Sequence, residues 1–113
     1  TCLPLVGCSY INPPSIADLN SNPHRYYQTK LTVVGQISRL QAIGDEVLLE
    51  VADAREKRVL VRAEGAGDLK PSDWIKATGL FVPEIKIGNQ TVYDAVMAED
   101  ISRTRAPMFR NLF

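Results

Sequence analysis

The strongest constraint on the fold is a succession of five short apolar segments between residues 30 and 103, each bounded by residues that favour turns. On one face of the first segment, every second residue is apolar or glycine: Leu31, Val33, Gly35 and Ile37. A period of two is typical of a strand with one buried face. The five segments predict strands over residues 31–38, 47–51, 58–62, 74–82 and 91–98. We expect an all-β domain, a five-stranded antiparallel barrel of Greek-key topology.

A short helix is predicted ahead of the first strand. The Ser15 hydroxyl can accept a hydrogen bond from a free amide of the first turn, and Asp18 stands three residues later, where it can return one. The helix ends before Pro23, because the residue ahead of a proline is disfavoured in helical geometry. Further along, residues 53–57 predict a charged hairpin loop, and residues 83–89 predict the turn between the last two strands.

The composition is that of one globular domain. A chain of 113 residues with 45% hydrophobic residues can bury a stable core without disulfides or metal ions. We divide it into an N-terminal segment at 1–14, a folded domain at 15–102 and a C-terminal tail at 103–113. Its 13 basic and 13 acidic side chains give a formal charge of zero, so no overall field attracts it to nucleic acid or anionic lipid.

The two cysteines of the chain, Cys2 and Cys8, both lie in the N-terminal segment. Residues 5–8 resemble the end of a bacterial lipoprotein signal, in which the cysteine is exposed by cleavage and lipidated. On that interpretation the protein is exported to the bacterial periplasm, the outer membrane or the cell surface, and reaches a membrane only through the lipid on Cys8. Two alternatives stay open: a Cys2–Cys8 disulfide, which a mature chain beginning at Thr1 would favour, and free thiols.

Catalytic and metal-binding arrangements find no support in the sequence. The single histidine, His24, lies in a turn ahead of the first strand, and both cysteines lie in the N-terminal segment, so no base is paired with a nucleophile. A zinc site built from Cys2, Cys8 and His24 would lack a fourth protein ligand and the short ligand spacing of structural zinc motifs. We therefore expect no enzymatic activity, no metal and no cofactor.

Two residues of the predicted strands receive structural interpretations. Asp94 shares a strand face with two valines, and if that face is buried the carboxylate needs a cation, for which Lys76 or Arg103 is expected. Trp74 is expected to be a core residue at one end of the barrel rather than a platform for a ligand.

The C-terminal tail carries three arginines, no acidic residue and four large apolar side chains. A completed small barrel cannot bury these groups, so the tail is either disordered or docked on a partner. We expect a protein partner or self-assembly, with contacts made by Met108, Phe109, Arg110, Leu112 and Phe113.

Four stretches carry a likeness to a known family: residues 22–27 ahead of the first strand, 33–37 within it, 70–79 at the entry to the fourth, and 95–101 at the end of the fifth. They resemble the OB-fold, and similar segments occur in small bacterial OB-fold lipoproteins of the tRNA-anti-like type. The resemblance implies a barrel whose second and third strands often bind oligonucleotides or oligosaccharides.

Binding of a single strand needs a basic groove with exposed aromatic platforms. The candidates are Arg39, Arg55, Lys57, Arg58 and Arg62, with Phe81 or Tyr93. Acidic residues share the same strands and loop: Glu46, Glu50, Asp53 and Glu56. Our leading hypothesis is therefore a non-enzymatic exported module that acts in protein–protein interaction or as a structural subunit of a cell-envelope or extracellular assembly. Single-stranded oligonucleotide binding is the alternative, and it is not favoured.

Overall fold

A computed structural model describes residues 15–65 and 67–105 of the chain. A short helix, α1 (Ile16–Ser21), and a 3₁₀ turn at Pro23–Arg25 precede the strands. The strands of this part of the chain are β1 (Thr29–Ile43), β2 (Glu46–Ala52), β3 (Arg58–Ala63), β4 (Trp74–Ile87) and β5 (Gln90–Arg103). Each predicted strand is present, and the fold is all-β with a short helix. No helix in these two ranges is long and apolar enough to cross a membrane.

The five strands form one sheet that closes into a ring in the order β1-β2-β3-β5-β4. Four neighbouring pairs are antiparallel, but β3 and β5 are parallel, through Leu60↔Ala95, Val61↔Val96 and Arg62↔Met97. The prediction of a purely antiparallel sheet is therefore wrong at this β3–β5 seam. The reason is geometric, because strand directions cannot alternate all the way around a ring with an odd number of strands.

Local sequence explains how α1 begins and ends. The Asp18 amide donates to the Ser15 hydroxyl and the Ser15 amide donates to the Asp18 carboxylate, each at 3.1 Å, which confirms the predicted capping box. The helix ends at Ser21, ahead of Pro23, as expected. Its apolar residues Ile16 and Leu19 are buried, so α1 packs against the ring.

The interior of the ring holds one apolar cluster to which every strand contributes. Leu31, Val33 and Ile37 of β1 are buried as their alternation predicts. They pack with α1 and with side chains from the other strands, among them Leu49, Val51, Val59, Val61, Ile75, Ala77, Phe81 and Val96. Burial of this cluster from water supplies the main stabilising free energy of the fold.

The β4–β5 hairpin is longer than predicted. We expected a turn over residues 83–89, but β4 continues to Ile87 and the turn is confined to Gly88 and Asn89. Beyond Phe81, β4 pairs with β5 alone, so it has become an edge strand. A proline is tolerated there because its missing N–H removes no bond from a second neighbour. Pro83 therefore does not end the strand.

Two glycines permit strands to approach closely within the ring. A Cβ on Gly35 would lie 2.7 Å from the carbonyl oxygen of Ala52, and a Cβ on Gly79 would collide with the carbonyl oxygen of Met97. The β4–β5 register shifts next to Gly79, where β5 has one extra residue. The approach of β5 to β4 at this bulge therefore requires a residue without a side chain.

Gly79→Ala should lower the free energy of unfolding by about 1–3 kcal/mol, because the new methyl group must displace backbone rather than a flexible side chain. Gly65→Ala is the matched control, since a Cβ there meets nothing within 4 Å and the φ angle is not in the left-handed region. Urea unfolding followed by tryptophan fluorescence measures both. Equal stability of the two variants would contradict the close approach of β5 at Gly79.

Candidate functional site

The far end of the β4–β5 hairpin folds over the outside of the ring. We call residues 82–94 the arm, because they pair only within the hairpin. On β2 and β3, Leu48 and Leu60 alternate with interior residues and so face outward. The arm residues Ile85 and Ile87 pack with these leucines in a second apolar cluster, in which Ile87 is fully buried.

The tip of the arm rests on the turn between β1 and β2. Gly88 has a φ of 60°, and a Cβ at this residue would lie only 2.8 Å from the Cγ2 atom of Ile43. The arm is thus held at its tip as well as along its apolar face. It covers part of the strand face to which the family resemblance assigned ligand binding.

A shallow depression of about 290 Å³ stays open on the remainder of this face, beside α1. Tyr93, Asp94 and Arg58 line it, and Tyr93 is 63% exposed. Glu50 lines it too, 3.6 Å from Arg58. The depression therefore combines one exposed aromatic ring with one arginine and two carboxylates.

The predicted basic residues do lie near β2 and β3, but carboxylates accompany them. The Arg62 guanidinium donates to Glu46, with its Nε atom 2.9 Å from the carboxylate oxygen. Arg39 lies opposite Glu50 in the β1–β2 register. In the hairpin loop, the backbone amides of Arg55 and Lys57 donate to the Asp53 carboxylate at 2.9 Å, while their side chains form no ion pair between described residues. These residues do not form a continuous basic groove.

Phe81, the aromatic candidate, is fully buried in the interior cluster, so its assignment as a ligand platform is wrong. Its ring stacks on Tyr27 at 5.6 Å between centroids. Strand alternation explains the position, because Phe81 shares its face of β4 with Ile75 and Ala77. The period of two from Ile75 through Ala77 to Phe81 was therefore the sequence signal that places this ring in the core.

The interpretation of Asp94 is also wrong. This residue is exposed, and its carboxylate accepts a hydrogen bond from the Tyr27 hydroxyl rather than pairing with Lys76 or Arg103. Asp94 has a φ of 54°, which breaks the alternation of β5, so that Ala95 and Val96 are both buried. The bond to Asp94, with burial and the carboxylate charge, raises the pKa of Tyr27.

Trp74 is half-buried and belongs to neither apolar cluster, so its prediction as a core residue is wrong. It is the first residue of β4, where its carbonyl oxygen accepts a hydrogen bond of 2.8 Å from the Thr104 amide. Bulk and apolarity predicted burial, but a position at a strand end leaves one side of the indole uncovered.

An open groove of about 970 Å³ runs along β5. It lies between β5 and the segment that joins β3 to β4, residues 64–73, which we call the connector. Half-buried apolar residues lie along the groove: Leu69, Leu80, Met97 and Ile101. Its charged lining residues are Arg62, Glu64, Asp68, Glu99, Asp100 and Arg103. The sequence signal for this site was weak, because these residues are scattered over three elements.

Arg103 fastens the connector at one end of the groove. Its Nη1 atom lies 3.0 Å from the Asp68 carboxylate and its Nε atom 3.1 Å from that of Asp73. Hydrogen bonds to Asp68 and then to Asp73 raise the pKa of Arg103. Desolvation acts to raise the pKa of Asp73, but the bonds from the Lys70 amide and from Arg103 outweigh it and lower that pKa.

The remaining predicted site residues lie outside the described residues. These are the two cysteines and the tail residues, namely Cys2, Cys8, Met108, Phe109, Arg110, Leu112 and Phe113. In the ranges 15–65 and 67–105, no three side chains of His, Cys, Asp or Glu cluster as metal ligands would.

Comparison with known proteins supports the fold and goes no further. A solved structure described as "OBody AM1L10 bound to hen egg-white lysozyme" superimposes with a TM-score of 0.61, covering 84% of this chain and 96% of that chain at 17% sequence identity. No protein-family model matches the chain, and no curated protein matches it. The structural likeness shows a shared fold.

Asp73→Asn should reduce stability at neutral pH and weaken its dependence on acid. Because the folded-state pKa of Asp73 is lowered, its contribution is present above its unfolded pKa of about 4 and is lost as the pH falls through the lower folded value. Urea unfolding between pH 2 and pH 7 measures the difference from the wild type. Asp45→Asn, at an exposed turn position, is the control and should keep the wild-type profile. If Asp73→Asn also keeps that profile, the Asp73 carboxylate does not help Arg103 to fasten the connector.

Proposed function

We propose that this chain is an OB-fold protein-interaction module without enzymatic activity, exported and acting as a structural subunit of a cell-envelope or extracellular assembly. The observation that carries the proposal is the arm, which covers part of the β2–β3 face with the chain's own apolar residues. A face already occupied in this way offers less surface to an oligonucleotide. The open concave surface lies elsewhere, along β5.

The charges support the same proposal. Arg58 and Arg62 are paired with Glu50 and Glu46, and the formal charge of the chain is zero. Binding to a phosphate backbone draws on uncompensated cations, and each one engaged adds to the salt dependence of affinity. The groove along β5, by comparison, is lined by half-buried apolar residues and by charges of both signs, and an apolar centre with a polar rim is typical of protein–protein interfaces.

The fold comparison supports the protein-binding part of the proposal in general terms. The solved structure that shares the fold is described as bound to lysozyme, so this scaffold can present a surface to another protein. In the present chain, we propose that the apolar side chains of the C-terminal tail contact the partner. Export and anchoring through Cys8 rest on residues 5–8 alone.

Removal of residues 106–113 should abolish self-association, because it deletes the four large apolar side chains that follow the last strand. The deletion keeps Thr104 and its hydrogen bond to the Trp74 carbonyl, so the described fold should persist. Light scattering of the full and shortened chains measures the mass in solution. Asn111→Ala is the control within the tail and should associate like the full chain. If the shortened chain keeps the same mass, the tail makes no contact in the assembly.

A labelled single-stranded oligonucleotide should show no change in fluorescence anisotropy with this protein, even at low salt. The expectation follows from the paired arginines and the buried Phe81. Arg58→Glu tests the same surface and should change nothing. A rise in anisotropy that disappears with salt and with Arg58→Glu would instead support the oligonucleotide-binding alternative.

A further inference from the structure

Among residues 15–65 and 67–105, no strand lies beside one edge of β5 next to the groove. The parallel pairing with β3 stops at Arg62↔Met97, and β3 itself ends at Ala63. From Ala98 onward, β5 pairs with β4 alone, and no backbone hydrogen bond joins the described connector residues to β5. We call residues 98–102 the free edge. Backbone groups along such an edge can pair with an added strand.

The side chains around the free edge favour a strand that is both apolar and basic. Met97 and Ile101 are half-buried and line the groove, Met97 against the second apolar cluster and Ile101 against the interior cluster, so both can contact the apolar side chains of an added strand. Glu64 and Asp100 are exposed, and neither takes part in an ion pair between described residues. The groove arginines, by contrast, already have carboxylate partners. A cationic strand would therefore find carboxylates available at the rim.

Acidic residues at the free edge also select against other occupants. Glu99 and Asp100 are adjacent on it; Glu99 is paired with Lys30, but Asp100 has no ion pair between described residues, so direct pairing of the free edges of two copies would bring the Asp100 carboxylates close together. Pairing of the free edge with a basic strand is therefore favoured, and direct pairing of two free edges is disfavoured.

The C-terminal tail of this chain has that complementary chemistry. It contains Arg105 and Arg110 and no acidic residue, together with four large apolar side chains. Its last six residues, 108–113, would extend about 20 Å at about 3.3 Å per residue. This length is comparable to the free edge with its flanking residues.

A return of the tail onto its own edge is disfavoured by turn chemistry. The Thr104 amide still bonds to Trp74, so a hairpin would have to reverse the chain over residues 105–107, Arg-Ala-Pro. Tight hairpin turns rely on glycine, asparagine or aspartate for positive φ, and this stretch has none of them. A second copy can supply the strand without such a turn.

We propose that residues 108–113 of one copy add as a strand to the free edge of a second copy, reciprocally, to form a dimer. The inference rests on the proposed function and identifies both surfaces of the self-association. When each copy donates its tail to the other, both grooves are filled and the assembly stops at two copies.

Sedimentation equilibrium of the full chain tests the groove. Glu64→Lys with Asp100→Lys should weaken dimerisation by about tenfold or more, because two rim attractions become repulsions. Asp45→Lys with Glu84→Lys is the matched control, since it makes the same change of charge at exposed positions that do not line the groove. The control should dimerise like the wild type. A wild-type chain that is monomeric at all concentrations would overturn the proposal.

A charge swap tests whether the tail is the occupant. Arg105→Glu with Arg110→Glu should weaken the dimer as the groove variant does. The chain carrying all four reversals should recover most of the affinity, because each reversed groove then meets a reversed tail. No recovery, with the fold intact by circular dichroism, would overturn the pairing of tail and groove.

Amide hydrogen exchange separates a second copy from the chain's own tail. The amides of residues 98–102 that face the groove should exchange at least about tenfold more slowly in the concentrated dimer than in the dilute monomer. Slow exchange that is independent of concentration would assign the edge to the chain's own tail and overturn the proposal. If deletion of residues 106–113 abolishes assembly but the groove variant does not, this inference fails while the proposed function stands.

Discussion

A closed ring of five strands must contain one parallel pair, and the rest of this molecule is arranged around that seam. Antiparallel neighbours can be joined by tight turns, but the step from β3 to β4 must cross to the far side of the ring, where β4 pairs with β1. The connector makes this crossing. Because β3 ends at Ala63 while β5 continues to Arg103, the seam opens on one side into the groove. Arg103 then fastens the connector across the opening through Asp68 and Asp73.

The β4–β5 hairpin covers a second surface of the ring, the outer face of β2 and β3, instead of leaving it open. Its arm extends past the ring and buries Ile85 and Ile87 against the outward leucines of β2 and β3. These side chains are removed from water only while the arm lies against the ring, so their burial stabilises that arrangement. The arm is therefore an integral part of the fold. One concave face is therefore filled by the chain itself and another is left open.

The sequence predicted what local patterns determine. Alternation placed Leu31, Val33 and Ile37 in the core, and Ser15 with Asp18 located the start of α1. Features that depend on distant neighbours were missed. Pro83 sits within a strand because β4 has only one neighbour there, and the direction of the β3–β5 pair follows from closure rather than from either strand.

At the candidate site too, local sequence predicted some residues correctly, while others depend on distant parts of the fold. The mixed charge of this hairpin could be predicted, because the charged residues of β2 are acidic and those of β3, the next strand, are basic; in the structure Glu50 pairs with Arg58 and Glu46 with Arg62. The environment of Phe81 depends on which face of β4 is inside, and that of Asp94 on a single positive φ angle. Nor does any local pattern reveal a free strand edge, because an edge is defined by the absence of a neighbour. Two adjacent acidic residues, Glu99 and Asp100, nevertheless lie on this one, and charged side chains on an edge discourage unwanted strand pairing. Adjacent acidic residues near the end of the last strand are thus the feature with which a search for such a groove can begin.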